Sequence, residues 1–310
     1  MRRKFQSEPL EARCLLAGDL VAHWNADTFA ADAESWLDSV GGVAAGVFGQ
    51  PSLAAAEING RSVVSLDAAD GVDGFRIAVS DSPMSNAADY SLVVVFRTDA
   101  TTFNGGANSN WYEATGLVDG NALGFSQDWG MTINGDGRIM TGLGGGFLSP
   151  STTVVGTNSL NDGQLQVAVV TKQGAELSIY ENGQLTGSAI HINADARYSS
   201  SMTIGMVNGT NTNGFTGQIG QVLIYDGALD ASEVQSLQSE WEAYYNNAQP
   251  VAMGDTYTLT EDQGLFFQTA LNGVLANDSD ADGDTLTAVL VTPPEHGTFS
   301  LNADGGFIYG

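Results

Sequence analysis

The sequence predicts an all-β sandwich closed by one short helix. Three observations carry this prediction. Short β-branched and aromatic runs recur along the first 225 residues with almost no helical periodicity between them. Turn signals sit between those runs: Glu181-Asn182-Gly183-Gln184 places Asn-Gly between two strand-like segments, and Asn134-Gly135-Asp136-Gly137 has the same character. Finally, a strand-like run with Ile219, Val222, Leu223, Ile224 and Tyr225 is followed by the turn Asp226-Gly227 and then by a helix starting at Asp230. Asp230 can accept the free amides of the first turn and Glu233 completes a capping-box pattern. Val234, Leu237, Trp241 and Tyr244 then recur at helical spacing as one apolar stripe.

In chain order, residues 1–19 begin with a basic cluster (Arg2, Arg3, Lys4) but lack the long apolar core of a secretory signal. The first strand is expected at residues 20–24, with His23 as a strand residue beside Trp24. Further strands are expected at 62–66, 75–79, 90–97, 123–125, 131–133, 165–171, 177–180, 202–206 and 218–225. The polar run at 246–250 reads as a linker, and a second unit begins at 251. With 310 residues the chain is long enough for one large domain and part of another.

Charge excludes several functions. Ten basic and 36 acidic residues give a formal net charge of −26, and four of the ten basic residues precede residue 14. DNA, RNA or an anionic bilayer is repelled by such a field, whereas divalent cations are attracted. Cys14 is the single cysteine, so neither an intramolecular disulfide nor a cysteine-based zinc site can form. No apolar run approaches the ~18 residues of a membrane span.

The segment around residues 215–241, FTGQIGQVLIYDGALDASEVQSLQSEW, resembles the end of a laminin-G-like (concanavalin A-like) jelly-roll domain. Residues 165–183, with L-Q-V-A-V-V-T and L-S-I-Y-E-N-G, and the opening strand carry the same resemblance, which spans residues 20–245. It implies that the first and last strands of the sandwich pair and that the helix packs on the sandwich edge or at the domain junction. Many members of that family carry Trp-His where this chain has Leu165-Gln166; Leu165 is expected to fill the core in their place. Residues 251–310, with N-D-S-D-A-D-G-D and H-G-T-F-S-L, resemble a bacterial cadherin-like repeat that stops before its final strands. The resemblance implies a partial Ig/cadherin-like β-sandwich here and further tandem domains downstream. At the other end, the L-E-x-R-x-L-L-A core of residues 10–17 is similar to a motif at the start of large exported bacterial proteins; a disordered tail is the alternative.

Calcium is the cofactor these residues suggest. Carboxylates at every second position from Asp278 to Asp284 gather hard oxygen ligands in one loop with a turn-permitting Gly283, although the bidentate glutamate and flanking helices of an EF-hand are missing. By resemblance to cadherin-like repeats, Glu261, Asp262, Asp278, Asp280, Asp282 and Asp284 are the matching positions. The alternative is a solvated acidic turn built on Asx turns. Laminin-G-like domains often hold one calcium ion at the rim of the sheets, and Asp119, Asp128, Asn134 and Asp136 are the candidates for that position. Trp111, Tyr112, Phe125 and Trp129 could stack on sugar rings or fill the sandwich core, while Asn208, Asn211 and Asn213 belong to a polar loop that could rim a glycan or protein ligand.

Catalysis finds no support in the sequence. Retaining glycoside hydrolysis needs two carboxylates about 5 Å apart, but Glu57, Glu113, Glu176 and Glu181 stand alone. His23, His191 and His296 are scattered. These readings together describe a non-enzymatic, extracellular bacterial adhesion or recognition protein, secreted or on the cell surface, that binds a glycan or protein. A carbohydrate-binding module of a larger secreted glycoside hydrolase and a structural spacer in a surface adhesin are the alternatives.

Overall fold

The computed structural model describes residues 18–69, 71–84, 87–120, 126–145, 152–191, 201–207, 213–247, 250–260, 264–282 and 284–310, the side chains of residues 126, 127 and 145 excepted. The chain divides into two compact units, one ending at Tyr244 and one running from Tyr245 to Gly310.

The larger unit is a sandwich of two antiparallel sheets. The first sheet runs in the order β14 (Gln184–Ile190), β13 (Glu176–Glu181), β12 (Leu165–Gln173), β7 (Tyr90–Arg97), β16 (Gly217–Asp226), β5 (Arg61–Leu66) and β4 (Ser52–Ile58). The first strand, β1 (Asp19–Asn25), pairs with β16, with Leu20 opposite Tyr225 and Trp24 opposite Val222. The first and last strands therefore meet as expected. The second sheet runs β11 (Thr152–Val155), β10 (Ile139–Gly145), β9 (Ser126–Ile133), β8 (Thr115–Asp119), β15 (Met202–Ile204), β6 (Gly74–Ile77), β3 (Ala44–Phe48) and β2 (Ser35–Leu37).

Between the sheets lies one continuous core. Alternation along β7 points Tyr90, Leu92, Val94 and Phe96 inward, where they join Trp24, Trp36, Phe75, Trp129 and Phe215. The other face of β7 is also buried: Ser91, Val93 and Val95 are inaccessible to solvent, as are Leu223 and Tyr225 of β16. Burial on both faces explains why β7 and β16 read as unbroken apolar runs rather than as alternating ones.

Helix α1 (Ala231–Asn246) lies on that side of the sheet, where its Trp241 meets His23, the β1 residue opposite Leu223. Its start is fixed by Asp230, whose Oδ1 accepts the amides of Ser232 and Glu233 at 2.8 and 2.9 Å, while Glu233 Oε2 accepts the Asp230 amide at 2.6 Å. The capping box is thus closed, and the bond from the Ser232 hydroxyl, followed by the Glu233 amide, holds the Asp230 carboxyl below its ordinary pKa. Val234, Leu237 and Trp241 are buried, with the Trp241 ring edge-on to His23 at 6.2 Å. Ser91 ties the incoming loop to β7 by donating to the Gly227 carbonyl and accepting from the Leu229 amide. The sandwich strands are where sequence patterning places them, with β2, β3, β4, β8, β10, β11 and β14 added; these additions are short, Gly-, Ala- or Thr-rich or at sheet edges, and carry weak alternation. The strand expected at 123–125 lies outside the described residues. The β13–β14 hairpin has the turn its Asn-Gly requires, with φ of 48° at Asn182 and 77° at Gly183.

One core expectation is corrected. Leu165 is only half-buried and pairs with Arg97, because alternation along β12 turns Gln166 inward instead. Gln166 satisfies its buried amide by donating to Asp162 and accepting from Asn182, both at 2.7 Å.

The smaller unit contains a three-stranded sheet in the order β17 (Phe266–Gln268), β19 (Phe307–Tyr309), β18 (Phe299–Leu301). Tyr257, Phe266, Phe299 and Phe307 cluster on it, with the Tyr257 and Phe307 rings 4.8 Å apart. They line an open apolar groove of about 700 Å³ together with Leu259 and Val274. Three short strands cover only part of their apolar surface, and Leu265, Phe267 and Leu271 remain largely exposed.

At the C-terminal end of the helix stripe, Tyr244 donates its hydroxyl hydrogen bond to Asp27 and lies under the Arg61 guanidinium at 3.9 Å. Burial first, then the Asp27 hydrogen bond, pushes its phenol up from 10.0 to about 12. Because the folded pKa lies above the unfolded one, folding holds the proton, and this contribution is complete below pH 10 and is lost as pH rises from 10 towards 12. Urea midpoints of the native protein should fall across that window, and Tyr244→Phe should flatten the fall. A variant with the same alkaline decline as the native chain would dismiss the role of this phenol.

Candidate functional site

The outer face of the second sheet is built around two glycines. Gly130 of β9 and Gly142 of β10 are directly paired. The indole of Trp111 lies over both: a Cβ on Gly142 would stand 2.0 Å from Trp111 Cδ1, and one on Gly130 would stand 2.7 Å from Trp111 Cζ3. Trp111 opens a single 3₁₀ turn, Trp111–Glu113, held by a bond from the Asn110 amide to Glu113 Oε2 at 2.8 Å. The Thr132 hydroxyl donates to the Trp111 carbonyl at 2.9 Å. Trp129 points the other way, into the core beside Tyr90. Both indoles are fully buried, so the expectation that Trp111 and Trp129 stack on a ligand is corrected: neither presents a ring face to solvent. Tyr112 keeps about a third of its surface, 36%, exposed, edge-on to Trp111. Asn213 is drawn to the same place, donating to the Glu113 and Ala114 carbonyls at 3.2 and 3.1 Å. Asn208, Asn211 and Phe125 lie outside the described residues.

The four rim candidates do not converge. Asp119 closes β8 opposite Gly130 and Thr203, fully buried, and Asp128 lies two residues before Gly130 on β9. Asn134 and Asp136 occupy the turn at the opposite end of β9, four or more residues along, which is about 13 Å at the rise of a strand. Asn134 Oδ1 there accepts the Asp136 and Arg138 amides at 3.0 Å, an Asx turn. Strand length thus separates the four into two groups.

In the smaller unit, Asp280 Oδ1 accepts the amides of Asp282 and Asp284 at 2.9 and 3.2 Å. Asp278 accepts the Met253 amide and Asp284 the Asn247 side-chain amide. Asp280 Oδ2 has no hydrogen-bond partner among the described residues, while Glu261 and Asp262 lie outside them. Among the described residues, no three His, Cys, Asp or Glu side chains gather closely enough to hold a metal ion. The described carboxylates of this loop thus form an Asx-turn ladder.

Three glutamates of the sandwich have structural partners. Glu57 pairs with Arg97 at 2.9 Å, Glu113 holds the Trp111 turn, and the buried Glu181 accepts from the Asn158 amide and side chain at 3.1 and 2.9 Å. His23 bonds Gln221 at 2.8 Å.

A polar cleft of about 430 Å³ that sequence patterning does not reveal opens at the strand ends of the first sheet. Leu66, Asp67, Arg97, Thr98, Asp99, Gly163, Thr216, Gly217 and Gln218 line it. They come from four stretches far apart in the chain, so no local motif marks them.

A family model described as the concanavalin A-like lectin/glucanases superfamily matches residues 73–235. The chain belongs to the concanavalin A-like superfamily. A bacterial cadherin-like domain model matches residues 247–310. Sequence comparison with curated proteins finds no match. Among solved structures, domain 4 of AbnA, an extracellular arabinanase of Geobacillus stearothermophilus solved in complex with arabinotriose, is similar with TM-score 0.54 at 20% identity. That likeness covers 71% of this chain and 98% of the arabinanase domain. The binding domain of Paraclostridial Mosquitocidal Protein 1 is similar with TM-score 0.54 at 13% identity, covering 82% of this chain and 59% of that one. The receptor binding domain of botulinum neurotoxin type G follows at TM-score 0.50 and 16% identity, over 72% of this chain and 51% of that one. At these identities the likeness is one of fold. In this concanavalin A-like sandwich, then, function rests on the particular side chains described above.

The Trp111 arrangement makes a direct prediction. Gly142→Ala drives a Cβ into the indole and to within 2.2 Å of the Thr152 carbonyl, and overpacking of this kind costs about 1–3 kcal/mol. Gly106→Ala, where nothing stands within 4 Å, serves as the control. Denaturant midpoints should drop for the first variant only; equal midpoints would show that Trp111 is not seated on this glycine pair.

Proposed function

We propose that the concanavalin A-like unit is a non-catalytic module that binds a glycan outside the cell, within an adhesion or recognition protein that continues into cadherin-like structure. The observation that carries this reading is the engagement of Glu57, Glu113 and Glu181, three of the sandwich's described glutamates, in an ion pair, a cap and a buried hydrogen bond. Carboxylates so engaged are not free to serve as the acid and nucleophile of glycoside hydrolysis. The arabinanase domain solved with arabinotriose and the toxin binding domains support a binding role on the same fold. The net charge of −26 favours neutral ligands and disfavours nucleic acid. No described helix is long and apolar enough to cross a membrane.

Calcium belongs to the proposal through the acidic loop. Two like charges ~5 Å apart repel by ~3 kcal/mol at an effective dielectric near 20, and a cation among Asp278, Asp280, Asp282 and Asp284 offsets that repulsion. A cation bound only by the ordered loop stabilises by mass action.

Two measurements test the reading. On a glycan and matrix-protein array the protein should bind neutral glycans; binding to proteins alone would replace the ligand class, and a blank array would remove the function. Incubation with β-glucans, arabinans or chitin should release no reducing sugar, and release abolished by Glu113→Gln or Glu176→Gln would make the protein an enzyme. Separately, melting of the full chain should shift upward at about 1 mM calcium and return with chelator. Equal melting in calcium and EDTA would leave the loop as a solvated turn.

A further inference from the structure

The cleft at the strand ends of the first sheet combines three polar groups that its own structure leaves partly unused. Arg97 ends β7 on the outer face, where its Nε donates to Gln218 Oε1 at 2.8 Å and its Nη2 to Glu57 Oε1 at 2.9 Å. Those two bonds fix the plane of the guanidinium and leave Nη1 without a partner among the described residues. Asp99 is exposed and its carboxylate takes no hydrogen bond among the described residues. Asp67 uses Oδ1 to accept the Ala69 amide at 2.8 Å. Although all three line one cleft of about 430 Å³, the ion pair of Arg97 is made with Glu57 and not with either aspartate. Opposite charges that share a cleft without closing on each other leave room for a ligand between them.

The cleft wall is fixed by backbone bonds and glycines. The Thr98 hydroxyl donates to the Thr216 carbonyl at 2.7 Å, the Thr216 hydroxyl accepts the Ala68 amide at 3.1 Å, and the Gly163 amide donates to the Thr98 carbonyl at 2.9 Å. Gly163 has φ of 77°, and a Cβ there would reach 3.8 Å from Asp99 Cβ. At Gly217 a Cβ would stand 2.6 Å from the Arg97 carbonyl. Side chains at these two places would narrow the cleft or break its wall. The volume lies within the range of small-molecule sites.

We infer that this cleft is the glycan subsite of the module, taking a neutral sugar whose hydroxyls donate to Asp67 and Asp99 and accept from Arg97 Nη1. This inference rests on the glycan-binding reading above. Each sugar hydroxyl is both donor and acceptor, so adjacent hydroxyls can answer the carboxylates and the guanidinium at once. Two carboxylates against one guanidinium already tied to Glu57, in a chain of charge −26, disfavour uronates and other acidic sugars.

The test uses the full chain, labelled for amide NMR, titrated with arabinotriose, cellotriose, mannotriose and trigalacturonate, alongside Asp99→Ala and Asp67→Asn. At least one neutral trisaccharide should shift the Gly163 and Gly217 amides, and Asp99→Ala should weaken it at least about tenfold, as loss of a charged hydrogen-bond partner does. Asp99 is exposed and outside the core, so its variant should melt with the native chain. Neutral binding with unmoved cleft amides and undiminished affinity in both variants overturns the cleft while leaving the glycan-binding reading intact. Preference for trigalacturonate overturns the ligand class. Silence with all four sugars overturns the cleft as a neutral-sugar subsite, and the array decides separately whether the module binds glycans at all.

Discussion

The pairing of β7 with β16 is the constraint on which the sandwich depends. These two central strands are buried on both faces, one set of side chains entering the inter-sheet core and the other meeting the helix. Burying the outer row of Val93, Val95, Leu223 and Tyr225 removes apolar area from water at about 25 cal/mol per Å², and it makes the helix part of the fold. Ser91 sits at the join, bonding both Gly227 and Leu229 and so fixing where the chain leaves the sheet. The same strand pair ends at Arg97 and Gln218, whose outward alternation carries them past the apolar cover to the polar cleft. One register therefore sets the core, the helix and the cleft.

The second sheet solves a different packing problem. Its outer face holds a tryptophan turn in place of a helix, and a flat indole can lie there only because two paired residues have no side chains. The arrangement spends a large aromatic on structure that its sequence context would equally allow to be a ligand platform. Tyr112, next in the chain, is the aromatic of that turn left at the surface.

Charge is handled locally throughout. Asp38, nearly buried, accepts amides from His23, Val40, Gly41 and Val43, and so ties β1 to the loop between β2 and β3. Asp230 caps the helix and Asp280 organises its own loop by the same chemistry. In a chain with so few cations, backbone amides are the principal donors available to carboxylates, which is why many of its aspartates sit in turns and at element ends.

The sequence by itself determined the elements whose causes are local. The Asn182-Gly183 hairpin, the Asp230–Glu233 cap, the Val234/Leu237/Trp241 stripe and the two-faced apolar runs of β7 and β16 all follow from neighbours within a few residues, and all are present. Only the tertiary structure decided what depends on partners far along the chain. That Trp111 is wall and not platform rests on glycines 19 and 31 residues away at positions 130 and 142. That Asp119 and Asn134 stand apart rests on the length of β9. The Arg97 cleft needs strand ends from residues 67, 97, 163 and 217 brought to one edge, and no periodicity records that register. Local chemistry writes elements into a sequence, whereas a site built from their ends exists only once the sheets have closed.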